Sequence, residues 1–125
     1  MMGGPQSVAA VTMSADERQF LLTAVWMFMR HGQPGRARNL CEALVEEDAR
    51  DGIAVVTLAE LLLDDGDAAR AVELLRVADF PPTLQHAEAV LETRALRHLG
   101  RRDEATARWR RYLETRKGAA RQWVS

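Results

Sequence analysis

Three glycines set at 34-residue intervals constrain this 125-residue chain more than any other feature: Gly32, Gly66 and Gly100. Each is followed five residues later by an alanine, Ala37, Ala71 and Ala105. Aligned on the glycines, the apolar residues coincide too. Phe28, Leu62 and Leu96 stand four positions before, Leu21, Val55 and Ala89 eleven before, and Cys41, Leu75 and Trp109 nine after. Self-similarity at such a period marks a stack of like supersecondary units. Each unit reads as a helical hairpin, because glycine tolerates the left-handed backbone of a tight turn and a small residue in the returning helix lets the two axes approach closely. The expected fold is all-α: three tandem hairpins forming a short right-handed superhelix with a concave groove.

The spacing predicts helices near 14–31, 35–48, 53–65, 67–79, 83–99 and 102–117. Ser14-Ala15-Asp16-Glu17 has the form of a capping box, which starts the first helix. Gly32-Gln33-Pro34-Gly35 combines a left-handed C-cap residue with a proline suited to a new helix start. Pro81-Pro82 should end the fourth helix early, since proline lacks an amide donor and clashes with the preceding turn. Residues 1–13 read as a flexible tail and 14–118 as the three-repeat domain; 119–125 read as a loose tail or short cap in which Trp123 covers the last repeat. In period and register the units resemble the tetratricopeptide repeat. They depart from it in lacking the aromatic residue at the start of the first helix and in carrying Ala49, Thr83 and Lys117 where a closing proline is usual.

A content of 47% hydrophobic against 28% charged residues suits a globular domain with a real core. The net charge of -1 hides an asymmetry: residues 1–85 hold 7 basic and 13 acidic side chains, and residues 86–125 hold 10 and 5. One half is therefore acidic and the other basic. A single cysteine excludes an internal disulfide framework and suits a reducing, cytoplasmic setting. Cys41 falls at a packing position with no basic neighbour to activate it, so an inert buried thiol is expected. His31, His86 and His98 lack helical ligand spacing, and Asp64-Asp65-Gly66-Asp67 lacks the closing glutamate of a calcium loop. No catalytic residue, metal or cofactor is expected. Nor is nucleic acid, because Trp109 and Tyr112 take core positions among the arginines of 108–111.

The stretch Gln19 to Arg30 is apolar on every side of the helical wheel, so it has to be covered on every side. It is too short to span a bilayer, which takes about 20 residues. One face can pack on the chain's own core; the other, with Leu22, Trp26 and Met29, is expected to meet a partner polypeptide. In an array of hairpins the first helices line the groove. The register places Gln19, Leu22, Trp26 and Met29 there, then Ile53, Val56, Glu60 and Leu63, then Ala87, Val90, Leu91, Arg94 and Arg97. A groove so lined suits an amphipathic helix. Leu22 and Trp26 stand where carboxylate-capturing repeats carry lysine and asparagine, which disfavours that mode. Without a client the groove could instead close on the N-terminal tail or on a second copy, as a homodimer.

Several segments together resemble a known family. These are Glu17-Arg18-Gln19-Phe20-Leu21-Leu22, Trp26, His31-Gly32-Gln33-Pro34-Gly35-Arg36-Ala37, Leu99-Gly100-Arg101-Arg102-Asp103-Glu104-Ala105 and Trp109-Arg110-Arg111-Tyr112-Leu113-Glu114. They look like the small three-repeat chaperones of bacterial type III secretion, of the YscY-type (SctY) class, over most of residues 15–117. The resemblance implies a cytosolic, non-catalytic export chaperone. It would hold the secreted X component (YscX/SctX) and, paired with it, contact the cytoplasmic domain of the export gate, the V component. The needle-subunit co-chaperone of the same systems and a generic scaffold module without an export client are the alternatives.

Overall fold

In the computed structural model, residues 13–124 are described. The tail expected over residues 1–13 lies, apart from Met13, outside them. The described residues form six α-helices: α1 (Ala15–Arg30), α2 (Pro34–Glu47), α3 (Gly52–Asp64), α4 (Ala68–Val77), α5 (Gln85–His98) and α6 (Arg102–Val124), with a 3-10 turn over Pro82–Leu84. They are tandem helical hairpins with no strand among the described residues; one isolated bridge joins Asp51 and Asp79.

The periodic glycines do the same physical job three times. Gly32, Gly66 and Gly100 have φ of 70°, 84° and 77°, and a side chain at any of them would meet nothing within 4 Å. Backbone conformation, not crowding, therefore selects glycine there. Each turn closes with the same two hydrogen bonds. The amides of Gln33, Asp67 and Arg101 donate to the carbonyls of Phe28, Leu62 and Leu96 at 2.8, 2.8 and 2.9 Å. Those of Gly32, Gly66 and Gly100 donate to Met29, Leu63 and Arg97 at 3.3, 3.1 and 3.0 Å. This is the Schellman pattern, which satisfies carbonyls that a helix end otherwise leaves open.

Ala37, Ala71 and Ala105 are all fully buried, as close hairpin crossings require. A leucine at position 71 would overpack the α3–α4 crossing, so Ala71→Leu is expected to cost about 1–3 kcal/mol of stability. Urea denaturation would read it directly; an unchanged midpoint would mean that the helices do not approach there.

The chain divides into two compact units, one ending at Asp48 and the other beginning at Ala49. In the first, α1 packs on α2. Ser14 caps α1 with the expected reciprocal pair: the Glu17 amide donates to its hydroxyl, and the Ser14 amide donates to the Glu17 carboxylate, which holds that carboxyl below its ordinary range. Arg18 pairs with Glu47 and donates to the Leu44 carbonyl at 3.3 Å, tying the start of α1 to the end of α2. Val25, Cys41 and Leu44 form the fully buried centre of this hairpin.

In the second unit α3 pairs with α4, and α5 packs against both before turning into α6. Asp51 caps α3, its carboxylate accepting from the amides of Ile53 and Ala54. Nine of the thirteen residues of α3 are buried, including Val55, Leu58 and Leu62. The helix α4 does stop short, at Val77, ahead of Pro81. Gly52 has a steric cause of its own: a Cβ there would lie 2.5 Å from the Asp79 carbonyl oxygen. The C-terminal tail departs from expectation. Residues 119–124 continue α6, and Trp123 is 92% exposed instead of being buried against the last repeat.

Candidate functional site

The exposure of α1 differs from the face read in the sequence. Arg18, Leu22, Val25 and Met29 make its inward stripe at i, i+4, i+7, i+11, with Leu22 only 3% exposed. Leu22 is therefore a core residue and not a partner contact. The outward stripe holds Phe20, Thr23, Met27 and Arg30, with Phe20 71% and Met27 55% exposed. Trp26 stands at the border, 43% exposed, and Met29 is half-buried. Phe20 and Met27 were missed because a helix apolar all round gives no period by which to choose its outer face. Their i, i+7 spacing was the available signal. Large apolar side chains left uncovered on one helix are what a docking surface presents.

The residues expected to line the groove in the second unit also sort into two kinds. Leu63 and Leu91 are buried and belong to the core. Ile53, Glu60, Arg94 and Arg97 are exposed, while Val56, Ala87 and Val90 are half-buried. Of these, Val90, Arg94 and Arg97 do come together, with Thr93 and Trp109, around a cleft of about 310 Å³ between α5 and α6.

Trp109 and Tyr112, expected in the core, are only half-buried. Their rings lie 5.4 Å apart and share a cluster with His86, whose Nδ1 is 3.2 Å from the Tyr112 hydroxyl. The buried member of this arginine-rich run is Arg108. It pairs with Glu88 and donates through Nε to Glu92 at 2.6 Å; Arg76 donates to the other Glu92 oxygen at 2.9 Å. Burial pulls the Arg108 guanidinium down, and the two carboxylates more than offset it, leaving it above its ordinary range. Sequence patterning missed this network because its three helices, α4, α5 and α6, meet only in the folded unit.

Cys41 is fully buried, and burial, with a smaller contribution from Glu42, pushes its thiol from 9.0 up to about 12. A thiol raised in the folded state favours folding below its unfolded value, and that contribution is lost as pH climbs from about 9 towards 12. Native protein at pH 8 should thus react with a maleimide far more slowly than protein unfolded in urea. Equal rates would place Cys41 at the surface.

Among the described residues no three His, Cys, Asp or Glu side chains are grouped to hold a metal ion, and no helix is long and apolar enough to cross a membrane. Residues 28–81 match the family model of the tetratricopeptide repeat. No curated protein gives a significant match. Residues 28–81 thus form a helical segment similar to the tetratricopeptide repeat, a repeat that suggests a scaffold for protein interaction.

Proposed function

We propose that this protein is a cytosolic, non-catalytic type III secretion chaperone of the YscY (SctY) class. It holds the secreted X-type component as an amphipathic helix and, paired with it, engages the cytoplasmic domain of the export gate. The observation that carries the reading is the uncovered apolar surface of α1, where Phe20, Trp26 and Met27 stand exposed. That helix lies within a segment that resembles the chaperone class, and a client helix laid on it would bury side chains worth about 1.5–3 kcal/mol each. Of the groove residues expected on α1, Trp26 and Met29 remain accessible to add apolar contact.

Co-expression with the products of neighbouring genes, followed by purification, tests the assignment. A stable complex with a small secreted-component homologue, which then binds the soluble domain of an export-gate protein, is the expected result. Retention of a needle subunit would reassign the chaperone to the co-chaperone class. Association only with folded, non-exported proteins would make it a scaffold module.

A further inference from the structure

The 34-residue register relates the two hairpins of the second unit position by position. On the α3–α4 hairpin, against which α5 packs, Ala59, Leu63, Ala68, Val72 and Leu75 are all buried. Thirty-four residues on, the α5–α6 hairpin carries Thr93, Arg97, Arg102, Thr106 and Trp109 at the same register positions, and these line its outer clefts. No further helix packs on it among the described residues. A face built to end a repeat array would be polar throughout. This one keeps Val90 and Trp109 at the floor of the cleft and buries the Thr93 hydroxyl with no hydrogen-bond partner. Arg94, Arg97 and Arg102 have no ion-pair partner among the described residues.

The helix α6 extends the same face. Trp109, Leu113, Arg116, Ala120 and Trp123 follow one another at i, i+4, i+7, i+11, i+14, so the almost fully exposed Trp123 lies in line with the cleft tryptophan. Among the described residues, no other helix packs on the last turns of α6, where Trp123 stands exposed.

We infer that this open face of α5 and α6 docks an acidic amphipathic helix of a separate partner polypeptide, its apolar side chains on Trp109 and Trp123 and its carboxylates on Arg94, Arg97 and Arg116. The neighbouring hairpin is itself packed against by a following helix, α5. The change from Leu63 to Arg97 and from Ala68 to Arg102 sets the charge that helix must carry. A second copy offering its acidic half would meet this face head-to-tail, an arrangement that tends to build filaments rather than a closed pair. The surface is distinct from the α1 stripe and does not depend on it.

A labelled synthetic helix of about 18 residues, four to five turns, with leucines on one stripe and glutamates flanking them, provides the probe. Its counterpart carries the same leucines flanked by lysines. Fluorescence anisotropy with the full chain should show the glutamate peptide binding at least about tenfold more tightly than the lysine peptide, with an affinity that falls as salt rises. The double variant Arg94→Glu/Arg97→Glu should weaken it by at least about tenfold, as should Trp123→Ala, which removes only an exposed side chain; Trp26→Ala should leave it unchanged. Equal binding of the two peptides, binding of neither, or indifference to the double variant would overturn the proposal. So would tighter binding of a single-stranded oligonucleotide, or sedimentation of the wild-type chain as a dimer that the double variant converts to monomer.

Discussion

Glu92→Ala should lower the unfolding free energy by about 3–5 kcal/mol, the range for removing one partner of a buried ion pair. Glu92 is 5% exposed and holds Arg108 on one carboxylate oxygen and Arg76 on the other. Without it, Arg76, half of whose side chain is already in solvent, can turn outward. Arg108 cannot, and Glu88 alone must then balance a buried guanidinium. The companion variant sharpens the test: Glu92→Leu together with Arg108→Met removes both buried charges, and such replacements are often neutral or stabilising. Urea melts of the single and double variants, read by helical circular dichroism, give the result. A single variant as stable as wild type would show that water reaches Arg108.

Loss of Trp26 should act on binding and spare the fold. At 43% exposed it keeps much of its ring in solvent, and it shares α1 with the exposed Phe20 and Met27. Trp26→Ala is expected to weaken binding of the proposed X-type client by at least about 2 kcal/mol, the level of an interface hot spot, or about 30-fold in Kd. Most of the change should appear as faster dissociation, because apolar burial holds a complex together and does little to steer encounter. Helical content and urea midpoint should stay at wild-type values. A destabilised variant would place Trp26 in the core, whereas full affinity in a well-folded variant would move the client to another surface.

What the sequence by itself determined was local or periodic. The left-handed turns at Gly32, Gly66 and Gly100, the buried crossings at Ala37, Ala71 and Ala105, the Ser14 capping box and the early end of α4 all follow from constraints within a few residues, repeated at 34. Backbone sterics and short hydrogen-bonded rings write such constraints directly into residue choice. The tertiary structure decided what depends on which surfaces meet. It turned Leu22 inward and Phe20 and Met27 outward on a helix apolar on all sides, where periodicity offers no outer face. It brought Arg76, Glu92 and Arg108 together from α4, α5 and α6, a charge cluster that composition reads as ordinary solvated surface. It also left Trp109 half-buried and Trp123 exposed at positions that would be core in the middle of an array, because burial at a repeat position is conferred by the next helix, and beyond α6 no further helix is described.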